Sequence, residues 1–88
     1  MGSYRIEWKK SAEKDLDRIP RKIIYKILEA VESLRSNPFP RGARKIAGTE
    51  KFFRIRVGDY RIIYYVDEEN KTITIYYVRH RREAYRVF

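Results

Sequence analysis

Two arginine-rich stretches hold the side chains best suited to chemistry in this 88-residue chain. Phe53 to Tyr65, FRIRVGDYRIIYY, sets Arg54 and Arg56 two apart and brings Arg61 in just past Gly58 and Asp59. Val78 to Phe88, VRHRREAYRVF, crowds Arg79, His80, Arg81, Arg82, Glu83, Tyr85 and Arg86 together. A guanidinium presents a planar fork that meets two phosphate oxygens at once, so this density of arginine fits contact with phosphate. Guanidiniums bind charge but are poor bases. Proton transfer would fall to Tyr85, His80 or Glu83. A histidine ordinarily titrates near neutrality, and arginines around a tyrosine favour its phenolate. Each feature also has a plainer reading. The hairpin alternation is what any half-exposed strand shows, His80 could be a solvated or packing imidazole, and Glu83 a solvated or ion-paired carboxylate.

The elements that must position these residues begin with the hairpin itself. Phe53, Ile55 and Val57 alternate with Arg54 and Arg56, so the pleat sends the apolar trio to one face and both guanidiniums to the other. Gly58 at the first place of a two-residue loop supplies the positive φ of a type II′ turn. Upstream, Tyr4 to Trp8 alternates as a strand. Ser11 is placed to cap a short helix carrying Ala12, Leu16 and Ile19, with Asp15 and Asp17 facing water. Pro20 suits the first turn of a second, longer helix with the stripe Ile23, Ile24, Ile27, Leu28, Val31 and Leu34. Two helices so close in sequence are expected to form a hairpin. Residues 38–51 read as a loop with a short strand or turn; residues 67–70 form a polar turn before a strand over Thr72 to Val78. The prediction is an α+β fold: an N-terminal strand, a helical hairpin on one face, a three-strand antiparallel meander and a short C-terminal tail. The neighbour of the first strand stays open.

That meander carries bulk on both faces. Ile63 and Tyr65 oppose Tyr60, Ile62, Tyr64 and Val66, while Thr74, Tyr76 and Val78 oppose Ile73, Ile75 and Tyr77. Helices cover one side only. The rest is expected to pack the sheet rim, dock a partner or stack nucleobases.

The whole chain bounds the partner. Its length fits one domain, residues 1–88, that buries roughly 60–65% of its unfolded surface. The formal charge of +9 and the isoelectric point near 10.0 point to an anionic partner, with solubility in a heat-loving host as the plainer reading. The excess lies late: residues 41–88 hold twelve Lys and Arg against six Asp and Glu, and nine of those twelve are arginine. There is no cysteine and one histidine, which excludes disulfide frameworks and zinc sites built from Cys/His clusters. No apolar run reaches the roughly 20 residues of a membrane span and no signal-peptide core is apparent, so a cytoplasmic protein without membrane contact is expected.

Lys45, Ile46 and Gly48, the block Phe53 to Tyr64, then His80-Arg81-Arg82 and Tyr85 give the chain a resemblance to the RelE family of toxin–antitoxin RNases over nearly its full length. The same pattern marks the wider RelE/ParE superfamily. The resemblance implies a toxin that enters the ribosomal A site, cuts messenger RNA there and is neutralised by a cognate RelB-like antitoxin. It further implies attack of a ribose 2′-hydroxyl on the neighbouring phosphate, leaving a 2′,3′-cyclic phosphate, with no metal or other cofactor. Arg54, Arg56, Arg61 and Arg81 match basic family positions and would act as cations, Arg81 as acid or charge stabiliser; Tyr85 matches a tyrosine with a proton-transfer role. Arg44, Lys45, Arg79, His80, Arg82 and Arg86 complete the expected RNA contacts. This chain departs from the best-known member by carrying arginines, not lysines, on the first hairpin arm, and by a shorter spacing from Arg81 to Tyr85. The alternatives are a ParE-like toxin acting on DNA gyrase and a basic RNA-binding module without chemistry.

Overall fold

The computed structural model describes residues 3–83. Strand β1 (Arg5–Trp8) leads into helices α1 (Lys10–Leu16) and α2 (Arg21–Ser33), followed by β2 (Arg44–Lys45), β3 (Phe52–Val57), β4 (Tyr60–Asp67) and β5 (Thr72–His80). The sheet order is β1-β5-β4-β3-β2. The expected meander is present as β3, β4 and β5, with β2 added antiparallel at one edge and β1 parallel to β5 at the other. This is the expected α+β class with two more strand partners than the meander alone. The two-residue β2 lies within the segment read as a loop with a short strand or turn.

Both helices pack on one face. Ala12 and Ile19 from the first helical stretch, and Ile27, Val31 and Leu34 from α2 and its end, meet Ile55, Ile62, Tyr64, Val66, Ile73, Ile75 and Val78 from the sheet. Leu28, counted in the α2 stripe, is 42% exposed instead: it lies at the edge of the buried arc. Tyr64 is fully buried, and its hydroxyl donates to the Pro38 carbonyl at 2.8 Å; burial pushes its pKa upward. The turn between β3 and β4 is two residues long, with Val57 facing Tyr60 and Gly58 at φ 59°, as the type II′ reading requires.

Two helix-one expectations are corrected. α1 starts at Lys10 after an extended Lys9, so Ser11 lies inside the helix and its hydroxyl donates to the Tyr76 carbonyl at 2.6 Å. Asp15 does not face water: it is buried, and one carboxylate oxygen accepts from the Val78 N–H at 2.9 Å and from Arg79 Nε at 3.0 Å. The physical cause is the end of β1. That strand covers the β5 edge from Thr72 to Ile75, and Lys9 N–H adds a bond to the Ile75 carbonyl. Beyond it the edge would be unpaired, and side chains of α1 supply the partners that a strand would otherwise give.

The alternation assigned to β5 also changes midway. Ile63 pairs with Tyr77 and Tyr64 with Ile75, so Tyr76 is an extra, unpaired residue in a β-bulge. Past it the faces swap. Val78, not Tyr77, enters the core with Ile73 and Ile75. On the side away from the helices Phe52 stands edge-on to Tyr65 and Tyr76, at 5.1 and 4.9 Å, beside the buried Ile63. The aromatic surplus thus packs largely on itself.

Candidate phosphate-binding site

Arg54 and Arg56 stand on the sheet face opposite the helices because Ile55 between them is buried in the core. Arg61 follows from register, lying directly across from Arg56. Arg44 is added by the edge pairing of β2, which sets it opposite Arg54. Arg81 comes from the other side of the ladder. Its N–H donates to the Asp59 carbonyl at 2.6 Å, and its guanidinium lies 3.9 Å from the Asp59 carboxylate. These five arginines, with Gly42 and Ile55, line one cleft of about 370 Å³.

The β5 bulge brings Arg81 here. Alternation from Thr74, which faces Tyr65 on the arginine side, would turn residues 76, 78 and 80 that way and residue 81 toward the helices. The extra residue at Tyr76 reverses this parity, so that Arg79, opposite Arg61, and then Arg81 follow the arginine side. Ser11 bonds the carbonyl of that same Tyr76.

Among the described residues no carboxylate lines the cleft, and Asp59 beside Arg81 offsets part of its charge. Like charges directly across a ladder repel, and the crowding shows on Arg61. Its pKa is lowered, first by burial and then by Arg56, Arg54 and Arg81, with Asp59 opposing. Its guanidinium donates to the Tyr60 carbonyl at 3.2 Å, which fixes the planar group among its neighbours. Such a cluster is costly when empty and complementary to a phosphate, above all to one gaining negative charge. No group of three or more His, Asp and Glu among the described residues could hold a metal ion.

The remaining expected contacts separate. Lys45 pairs with Phe53 and starts from the opposite face. Arg79 is on the correct face by register, yet its guanidinium is taken by Asp15 and lies 4.7 Å over the Tyr77 ring. His80 faces Tyr60 on the helix side, with ring centroids 5.5 Å apart, and its Nδ1 accepts from the Arg82 N–H at 3.3 Å. Arg82 lies in an exposed turn. Tyr85 and Arg86 lie outside the described residues. Sequence reading missed Asp59, which anchors Arg81, and Asp15, which holds Arg79; both pairs are distant in sequence, Asp15 and Arg79 by 64 residues, so no local pattern reveals them.

The model of the family described as the ParE toxin of the type II toxin-antitoxin system, parDE, matches residues 6–85. Toxin RelG of Mycobacterium tuberculosis is 34% identical over 87 residues, spanning 94% of this chain and 97% of that protein. Toxin RelE3 of Methanocaldococcus jannaschii is 34% identical over 88 residues, spanning 96% and 98%. Among solved structures, the archaeal RelE-RelB complex from Pyrococcus horikoshii OT3 contains a chain 33% identical, with a TM-score of 0.81 over 93% of this chain and 99% of that one. The isolated Escherichia coli RelE toxin, at 15% identity and a TM-score of 0.78, shares the fold. With a family model over nearly its whole length and these relatives, the chain belongs to the toxins of type II toxin-antitoxin systems, in the RelE-like branch of the RelE/ParE superfamily.

Proposed function

We propose that this toxin is a ribosome-dependent endoribonuclease that cuts messenger RNA in the A site, in the cytoplasm, and is held inactive by a RelB-like antitoxin. The observation that carries the reading is the convergence of Arg44, Arg54, Arg56, Arg61 and Arg81 on one cleft that no carboxylate lines among the described residues. The antitoxin follows from relatives of the same fold that were solved as RelE-RelB complexes.

In the proposed reaction the ribose 2′-oxygen forms a bond to the adjacent phosphorus as the bond from phosphorus to the 5′-oxygen breaks. The products are a 2′,3′-cyclic phosphate and a free 5′-hydroxyl. Negative charge grows on the phosphorane, and in this reading Arg54, Arg56 and Arg61, which line the cleft, serve as the fixed cations that stabilise it. Guanidiniums are unsuited to take the 2′-hydroxyl proton, so that proton goes to Tyr85 as phenolate. Arg81 either protonates the departing 5′-oxygen or holds its charge while water protonates it. The ribosome supplies the strand geometry, ordering the 2′-oxygen in line with the scissile bond.

Primer extension on messenger RNA in programmed ribosomes tests this, with naked RNA as control. The expected result is ribosome-dependent cutting, reduced about 10²–10³-fold by Arg61→Ala, by Arg81→Ala and by Tyr85→Phe. Absence of cuts by the parent protein on ribosomes from a matched source would overturn the reading. Inhibition of gyrase supercoiling by that same protein would then assign it to the ParE-like activity.

A further inference from the structure

A second basic hollow lies on the other side of the sheet, between α1 and the end of β5. It has a volume of about 490 Å³, and its lining includes Lys10, Lys14, Arg18, Tyr60, His80 and Glu83. Asp15 and Arg79 also border it, but they neutralise each other. What remains is three exposed cations against the single carboxylate of Glu83. The cations recur every fourth residue along α1 and its C-terminal turn, where a rise of about 1.5 Å per residue spaces them by about 6 Å. That is the scale of the step between successive phosphates on an RNA strand. Tyr60 and His80 also line it, their rings edge to face with centroids 5.5 Å apart, and bases and riboses pack against such rings.

The two clefts are back to back. Tyr60 and His80 form one rung of the β4–β5 ladder, directed to the helices, and on the next rung Arg61 is directed to the arginine side, while the guanidinium of Arg79 opposite it turns to Asp15 at the border of the hollow. One thickness of sheet therefore separates the hollow from the arginine cleft.

The geometry points to a second RNA-binding site in this hollow, in which Lys10, Lys14 and Arg18 grip the phosphate backbone of a ribosomal RNA strand that is not the substrate. It rests on the ribosome-dependent reading above and gives it a physical basis. A strand held against α1 would orient the arginine cleft toward messenger RNA one sheet thickness away. The site supplies binding and orientation and takes no part in bond breaking.

The test is the affinity of the full chain for vacant ribosomes, without messenger RNA, across a series of salt concentrations. The triple variant Lys10→Ala/Lys14→Ala/Arg18→Ala is compared with the parent and with Arg5→Ala/Lys22→Ala/Lys26→Ala, which removes the same charge from exposed positions elsewhere. The α1 triple is expected to bind at least about tenfold more weakly and to lose about 2–3 from the slope of log affinity against log salt. The control triple should keep most of that slope. The same salt series on programmed ribosomes should show the same α1-dependent loss, because the strand held in the hollow is not the substrate. Equal losses for both triples would overturn the site as mere charge, and so would an α1 defect confined to programmed ribosomes, which would put the substrate strand in the hollow. Cutting by the parent on those programmed ribosomes reports separately on the RNase reading, so a non-cutting protein with an α1-dependent slope would sink that reading and keep this site.

Discussion

Asp15→Ala should unfold this toxin more readily than its place on a short surface helix would imply. The Asp15 side chain is 10% exposed and carries two bonds from the β5 edge, one from a buried backbone N–H and one from Arg79. Truncation strands the Val78 N–H without water or partner, at about 1–3 kcal/mol. It also unpairs Arg79, whose side chain is 31% exposed and can be partly resolvated, adding about 1 kcal/mol. A loss of about 2–4 kcal/mol compares with about 5–10 kcal/mol for a whole domain of this size. With a urea dependence of about 1–2 kcal/mol/M, the unfolding midpoint should fall by about 1–4 M. Asp15→Asn keeps an acceptor for Val78 and loses only the charge, so it should fall between. Urea denaturation followed by circular dichroism measures both, and hydrogen exchange locates the effect at the Val78 amide. An Asp15→Ala midpoint within about 0.3 M of the parent would refute the argument that α1 side chains replace a missing strand.

Arg56→Ala should make the free protein slightly more stable, by about 0.2–1 kcal/mol, because it removes a like charge directly opposite Arg61. Added sulfate should raise the melting temperature of the parent more than that of the variant, and equal shifts would argue against a phosphate-shaped cleft. At the β4–β5 turn the Asp67 carboxyl is held below its ordinary pKa, chiefly by the Asn70 side-chain amide. A depressed folded pKa means that its contribution to stability is present above the unfolded value of about 3.9 and is lost as pH falls through the folded value. Carboxylate NMR titration should show Asp67 moving up toward the ordinary range in Asn70→Ala; an unchanged midpoint would assign the depression to another cause.

The residues within one hairpin were legible because their geometry is local. A period of two with Ile55 between them puts Arg54 and Arg56 on one face, and Gly58 specifies a turn that brings Arg61 across from Arg56. The amphipathic stripe of α2 and the meander were legible for the same reason, since hydrophobic period and turn chemistry act over a few residues. The family resemblance extended this to the toxin class, which the comparisons bear out.

Only the tertiary structure decided which residues join the hairpin. β1 takes β5 as its parallel partner, and where β1 ends, Ser11 and Asp15 turn inward to bond the β5 edge. Helical spacing sets Asp15 beside Ala12 and Ile19 and turns Asp17 away, but what holds a carboxylate on that buried face is an unpaired N–H more than sixty residues away. The extra residue at Tyr76 is likewise a property of the β4–β5 pairing, invisible to counting by twos. It reverses the faces beyond it, sending His80 to the helix side and Arg81 to the arginine cleft. The sequence therefore determined that this protein carries a row of guanidiniums on a hairpin; long-range pairing, which fills backbone hydrogen bonds before it respects any local alternation, decided where the tail would meet them.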